Sequence, residues 1–344
     1  MSIALFNKID KTPVQNTALM IIDNLLQRKE FMYYHVDTVH GIHYAEVITA
    51  QAAMRAAHKF NDTERLQSLI KRYQAALCEE EGRVKNTRNH VDVNVYGILP
   101  LEIFKHTGDH KYLEQGIAFA DGQWEKKLPN GLSSQSRYWI DDMFMIGALQ
   151  LKSYKISGKE VFLTRTTLTV DAYLQKLQKA NGLFYHGEEA PFFWGRGNGW
   201  CAASMAQVLT VLPEQHKYYI SIKNGYIKMM HTLLQLQRET GMWNQLLDYK
   251  EAWNESSCTA MFAYAFTEGI KARILSENEY GPAVLKSLSA LLQKMNLDGN
   301  LTEVCAGTGQ SKESTYYLER PRITGDLHGQ AFMLYLVISL LDVL

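Results

Sequence analysis

NGLFYHG, Asn181–Gly187, is a turn dipeptide followed by a short extended stretch, and the pattern returns. NGLSSQS starts at Asn130, TGMWNQL at Thr240 and DGNLTEV at Asp298. Each pairs a polar residue with glycine, a combination suited to tight turns, and each is followed by a helical pattern. The spacing is about 50 to 60 residues, the length of two helices and two connections. Between the turns, segments such as YAEVITAQAAMRAAHKF, YYISIKNGYIKMMHTLLQLQ and HGQAFMLYLVISLLDVL place apolar residues at helical spacing, and strand-like alternation is scarce. The pattern predicts an all-α ring of helical hairpins whose linking loops gather on one face and form a cleft. The apolar content of nearly every helix favours closed two-layer packing over an open solenoid.

The chain has 344 residues and only seven prolines, with no Pro-rich linker to divide it. We therefore expect one domain over 1–344. Lys+Arg and Asp+Glu both count 36, so no global field draws the protein to nucleic acid or to an anionic membrane. No apolar run reaches the roughly 18 residues of a membrane span. The four cysteines, Cys78, Cys201, Cys258 and Cys305, form no Cys-x-x-Cys pair, which argues against a disulfide framework or a zinc site. The N-terminal MSIALFNKIDKTPVQNTALM lacks a long apolar core, so no secretory signal is expected. These features point to a soluble protein of a reducing compartment.

Candidate chemistry is concentrated in a few stretches. FFWGRGNGWCAASM, Phe192–Met205, holds Trp194, Arg196 and Trp200 among three glycines. Gly195, Gly197 and Gly199 suggest a shaped loop, and tryptophan with arginine suits a flat, charged organic ligand. RYWIDDMFMIGALQ, Arg137–Gln150, opens a helix with Asp141 and Asp142 near its N-terminus, where the plain reading is capping. On a helix Asp141 shares a stripe with Met145 and Leu149, and Asp142 with Trp139 and Ile146. Periodicity does not choose between them. Asp92 precedes another apolar helix and reads either as a cap or as the second carboxylate of a pair. His186 lies on the turn before the Trp-Arg stretch. Trp243 and Glu255 read as packing and capping, and Cys258 as a buried thiol.

YWIDDMFM, FFWGRGNGW, ESSCTA, and CAGTG followed by DLHGQAF resemble the unsaturated rhamnogalacturonyl hydrolases, glycoside hydrolase family 105. The resemblance runs from about Asp92 to the C-terminus. It implies an (α/α)6 barrel and a cytoplasmic enzyme of bacterial polysaccharide breakdown. The implied substrates are short oligosaccharides with a 4,5-unsaturated uronic acid at the non-reducing end. The family's general acid and base falls on Asp141 and its second aspartate on Asp92. Its sugar-contacting residues fall on Trp139, Met145, His186, Trp194, Arg196 and Trp200. Where the family usually has Trp-x-Tyr this chain has Met32-Tyr33-Tyr34, so Tyr34 carries over on a weaker match. No metal, organic cofactor or obligate protein partner is implied.

Such a substrate carries an enol ether, and protonating C4 lets water add at C5, so one carboxyl could serve as acid and then base. For Asp141 to act as an acid, burial among Trp139, Trp194 and Trp200 and the charge of Asp92 would have to overcome the helix N-terminus. Arg196 would pair with the uronate carboxylate. The rival readings are an unsaturated glucuronyl hydrolase, a sugar epimerase using His186 and His328, and a non-catalytic oligosaccharide-binding protein.

Overall fold

In the computed structural model, which describes residues 3–36, 38–77 and 86–344, the four turn signatures share one backbone conformation. Gly131, Gly182, Gly241 and Gly299 have φ of 84°, 85°, 82° and 74°, the left-handed region that glycine enters without steric cost. Each glycine N–H donates to the carbonyl three residues back, on Leu128, Lys179, Arg238 and Asn296 respectively. Those four residues in turn donate to the carbonyl just after the glycine, on Leu132, Leu183, Met242 and Asn300. At three of the turns the glycine also rests on a helix backbone. A Cβ would lie 2.7 Å from Lys228 O at Gly182, 2.6 Å from Lys286 O at Gly241 and 2.4 Å from Met20 O at Gly299.

The chain runs as α1 (Lys11–Gln27), β1 (Tyr33–Val36), β2 (Val39–Ile42), α2 (Tyr44–Lys59), α3 (Thr63–Leu77), α4 (Val91–Asn94), α5 (Ile98–Thr107) and α6 (His110–Gly122). There follow α7 (Asp142–Ser157), α8 (Glu160–Leu177), α9 (Gly195–Leu209), α10 (Tyr219–Leu236), β3 (Trp243–Asn244), β4 (Asn254–Glu255), α11 (Ser256–Lys271) and α12 (Glu277–Lys294). The last elements are β5 (Val304–Cys305), α13 (Ser314–Leu318), β6 (Arg322–Ile323) and α14 (Leu327–Leu341). The strands form three antiparallel pairs, β1–β2, β3–β4 and β5–β6. The all-α expectation holds: among the described residues, no strand exceeds the four residues of β1 and β2.

Two compact units emerge. One comprises Met1–Ile21, Tyr138–Asp141 and Val170–Leu344; the other comprises Ile22–Arg137 and Asp142–Thr169. In the first, α11 packs against α9, α12 and α14. Helices α9, α11 and α14 are buried nearly all round, as helices inside a two-layer packing must be. Helices α10 and α12 bury one stripe each: Ile222, Tyr226, Met229 and Leu233 on α10, and Tyr280, Val284, Leu288 and Leu291 on α12. Each such apolar side chain contributes on the order of 1.5–3 kcal/mol by leaving water. In the second unit α5 packs on α2, α6 and α7. There α2 is buried almost throughout, while α3 buries only Leu69, Ile70, Tyr73 and Leu77.

Two local expectations are corrected. The glycines of FFWGRGNGW do not make a loop, because α9 starts at Gly195 and contains all three. Their purpose is close approach. A Cβ on Gly195 would lie 2.9 Å from Cys258 Sγ, one on Gly197 2.7 Å from Ile140 Cγ2, and one on Gly199 2.3 Å from Met261 Sδ. Intimate packing on Ile140 and on α11 outweighs a helix-propensity cost of about 1 kcal/mol per glycine. The second correction concerns the acidic pair. Helix α7 begins at Asp142, and Asp141 lies in the turn before it, so the stripe assigned to Asp141 and the one assigned to Trp139 do not exist.

Cys201, Cys258 and Cys305 are buried thiols, not disulfides; Cys78 lies outside the described residues. Burial pushes the Cys201 and Cys258 thiols well above their usual range, and the nearby Asp141 and Glu255 carboxylates, respectively, add to it. Cys258 is therefore the inert thiol expected. Among the described residues no helix is long and apolar enough to cross a membrane.

Candidate active site

Asp141 is held by its neighbours in the chain. Tyr138 adopts a left-handed backbone, φ 56°, stabilised by its N–H donating to Tyr173 Oη at 3.1 Å and by its ring stacking on Tyr173. Two residues on, the Ile140 N–H donates to the His186 carbonyl at 3.1 Å. The result places Asp141 Oδ2 3.6 Å from His186 Nε2, with Asp141 only 8% exposed. His186 is fully buried and boxed by aromatic rings, with centroids at 4.6 Å for Trp194, 5.6 Å for Tyr317 and 5.8 Å for Trp139. Its Nδ1 lies 2.8 Å from Tyr317 Oη. Burial pushes the Tyr317 phenol up to about 12, so it stays protonated.

Trp194 joins Leu246, Ala252 and Tyr317 in an apolar cluster that Phe192 and Tyr249 cover. The guanidinium carbon of Arg196 sits 4.7 Å from the centroid of the Trp194 ring. Arg196 is 1% exposed, and the guanidinium assigned from sequence to a uronate carboxylate spends Nη1 on the Cys305 carbonyl and Nη2 on that of Ala306. It thereby fastens the backbone after β5. Trp200 points elsewhere in the core, edge-on to Phe332 and near His328. Asp326 caps α14 and lies 2.5 Å from His328 Nδ1. Burial would raise the Asp326 carboxyl, but His328 and Arg196 outweigh it and hold the group well below the usual carboxylate range. Glu255 is the expected cap: its carboxylate accepts from the Ser257 and Cys258 N–H groups, and also from that of Cys305. Trp243 is buried, its indole donating to Leu233 O.

The other unit carries a second constellation. Arg137 bridges two carboxylates. Its Nη2 lies 2.5 Å from Asp142 Oδ1 and 3.2 Å from Asp92 Oδ1. The Arg137 backbone N–H and Nε also donate to Asp142, at 2.8 and 3.0 Å. Burial dominates at Asp142 and raises its carboxyl, an effect Arg137 only partly offsets. The cap of α4 is His90, not Asp92: His90 Nδ1 accepts the Asp92 N–H at 3.2 Å. Burial and the adjoining Arg137 push the His90 imidazole down to about 4. Tyr34 stacks on His90 at 5.8 Å. Burial, and then the Asp92 charge, raise its phenol. Met145 is fully buried in α7.

The structure thus gathers Trp139, Asp141 and Trp194 around the His186 imidazole, and Tyr34 and Asp92 around His90 and Arg137. Sequence reading missed Tyr317, Arg137, His90 and Asp326 as site residues. Tyr317 lies 131 positions from His186, and no local pattern announces such a pairing. His90 stood two residues before Asp92, at a helix start, and could have been found as a cap. Among the described residues no group of three or more His, Cys, Asp or Glu is placed to hold a metal ion. A separate pocket of about 430 Å³, lined by Leu174, Gln178, Lys179, Ser221 and Lys228 among others, contains none of the residues of either constellation.

A family model described as Glycosyl Hydrolase Family 88 matches residues 21–344. The unsaturated rhamnogalacturonyl hydrolase YesR of Bacillus subtilis (strain 168) is 26% identical over 328 residues, 89% of this chain and 90% of that protein. A solved structure from Salmonella enterica serovar Paratyphi A, described as a possible member of the GH105 family, superimposes with a TM-score of 0.85 at 18% identity. The match covers 98% of this chain and 96% of that one. An unsaturated glucuronyl hydrolase from Bacillus sp. GL1 gives a TM-score of 0.69 at 14% identity, over 95% and 96% of the two chains. These likenesses bear out the resemblance to the unsaturated rhamnogalacturonyl hydrolases and the helical-barrel fold class read from the sequence.

Proposed function

The chain belongs to glycosyl hydrolase family 88 and is a glycosidase, and from that premise we propose that it removes a 4,5-unsaturated uronic acid from the non-reducing end of oligosaccharides left by polysaccharide lyases. The substrate in this reading is an unsaturated galacturonyl-rhamnose unit of rhamnogalacturonan, handled in the cytoplasm by a single catalytic domain over 1–344. The observation that carries the reading is Asp141, nearly buried, set 3.6 Å from His186 beside Trp139 and Trp194. An acid in a dry aromatic shell suits proton delivery to carbon. Similarity to YesR over most of both chains supports the substrate class.

Asp141 gives its proton to C4 of the enol ether, and the C4=C5 electron pair forms the new C–H bond. The positive charge at C5 is shared with the ring oxygen. Water adds at C5 and returns a proton to the Asp141 carboxylate. The resulting hemiketal opens between C5 and the ring oxygen. That leaves a hemiacetal at C1, which collapses to an aldehyde and frees the remaining sugar. The anomeric carbon is never displaced directly, so the two-carboxylate geometries of retaining and inverting enzymes do not apply. Trp139 and Trp194, which flank His186, offer apolar faces to the sugar, with His186 as a further contact. Arg196, held by the Cys305 and Ala306 carbonyls, acts on the site through the backbone that it fastens.

Turnover in deuterium oxide should leave deuterium at C4, and oxygen-18 from labelled water should appear at C5. The ultraviolet absorbance of the unsaturated uronate should fall at the same time. Oxygen-18 at C1 with no deuterium at C4 would overturn hydration. A panel of galacturonate- and glucuronate-derived lyase products reads out the preferred uronate.

A further inference from the structure

We infer that Tyr317 is a positioning residue that fixes the tautomer of His186, so that the imidazole presents Nε2–H to Asp141. The argument counts protons. The Ser311 backbone N–H lies 3.2 Å from Tyr317 Oη and can only donate. The phenol oxygen accepts there, and its single proton goes to its other partner, His186 Nδ1, at 2.8 Å. Nδ1 is then the lone-pair nitrogen, and a neutral imidazole carries its proton on Nε2. The opposite tautomer would aim two donors at the phenol oxygen and leave the buried phenolic proton without an acceptor among the described residues.

Among the described residues Nε2 makes no hydrogen bond, and Asp141 Oδ2 stands 3.6 Å away. That gap exceeds hydrogen-bond length, so the N–H biases Asp141 without tying it down. The attraction grows as Asp141 gives up its proton and becomes a carboxylate, which places the benefit in the transition state. The ring is packed on several sides in this orientation. Trp139, Trp194 and Tyr317 surround it, and the residue's backbone is anchored at both ends: its carbonyl accepts from Ile140 N–H and Gln310 Nε2, and its own N–H donates to Phe192 O. His186 is therefore a donor directed at Asp141. The inference deepens the hydration reading and rests on it for its catalytic consequence.

Imidazole nitrogen shifts in the nitrogen-15-labelled full-length protein test the tautomer without any substrate, with His186→Gln used to assign the signal. With the imidazole in its neutral form, the wild type should show a protonated Nε2 and a bare Nδ1, and Tyr317→Phe should show a mixture of tautomers. Steady-state assays of Tyr317→Phe should give a loss in kcat on the order of 10–100-fold with KM nearly unchanged, the scale for removing a partner that orients an active-site imidazole. A proton on Nδ1 in the wild type overturns the inference even if the variant fails to fold. So does Tyr317→Phe with an unchanged tautomer, or with a loss confined to KM. Failure of the hydration reading looks different: the wild type then turns over no unsaturated uronate while its His186 signal still reports Nε2–H.

Discussion

Arg137 Nη2 lies 2.5 Å from Asp142 Oδ1, and the Arg137 Nε and backbone N–H bind the same carboxylate. The next residue back, Asp141, faces His186 instead. Two adjacent carboxylates of one type thus have different work, one closing a buried ion pair and the other facing an imidazole in an aromatic box.

The first prediction separates them. Asp141→Asn should abolish turnover and leave the unfolding midpoint nearly unchanged, because the amide keeps the carboxyl's size and loses its transferable proton. Asp142→Asn should destabilise the fold by about 2–3 kcal/mol, since a buried carboxylate that accepts three hydrogen bonds from one arginine is lost. Denaturant titration beside a turnover assay gives both numbers. An inactive but fully stable Asp142→Asn, with Asp141→Asn active, would reverse the assignment.

Arg196→Lys should lower both stability and affinity. A lysine cannot serve the Cys305 and Ala306 carbonyls together or lie flat on Trp194, and a cost of about 2–3 kcal/mol is expected for the lost charged hydrogen bonds. KM for the unsaturated uronate should rise as the segment after β5 loosens. A variant as stable as the wild type, with KM alone affected, would show that the guanidinium serves the substrate and not the backbone.

Gly199→Ala should destabilise the protein although alanine is the better helix former by about 1 kcal/mol. The added methyl would lie 2.3 Å from Met261 Sδ and 2.8 Å from Met261 Cβ, and overpacking of this kind costs about 1–3 kcal/mol. Met261→Ala in the same chain should recover part of the loss. The coupling is read from a double-mutant cycle of unfolding free energies, and strict additivity would contradict the packing account.

The last prediction is a pH dependence. The folded protein holds His90 at about 4, below the 6.5 of an unperturbed histidine. The unfolded chain therefore takes up a proton at higher pH than the folded one. This contribution to stability is fully present above pH 6.5 and is lost as pH falls through 6.5 toward 4. Asp142, whose raised carboxyl favours the acid side, works against it. His90→Asn keeps a good cap for α4 and removes the titrating group. Urea unfolding from pH 7 to 4 should fall less steeply in that variant. An identical slope in both proteins would remove His90 from the account.

Where a conformation is decided within a few residues, sequence alone was enough. The turns at Asn130, Asn181, Thr240 and Asp298 were legible because a left-handed backbone position selects glycine whatever lies around it, and all four adopt it. The helices were legible because burying one stripe or the whole surface leaves a periodic trace. Tertiary structure decided what depends on partners remote in the chain. Three glycines in seven residues read as a loop until Cys258, Ile140 and Met261 are seen pressed against them. Asp92 read as a cap or as one of a carboxylate pair, and its partner Arg137 stands 45 residues away. His186 read as a lone histidine until Tyr317 arrived from 131 residues downstream to fix its proton. Local backbone preference is written into neighbouring residues, whereas the protonation and packing of a buried group depend on every atom that displaces its water, and those atoms are brought together only by the fold.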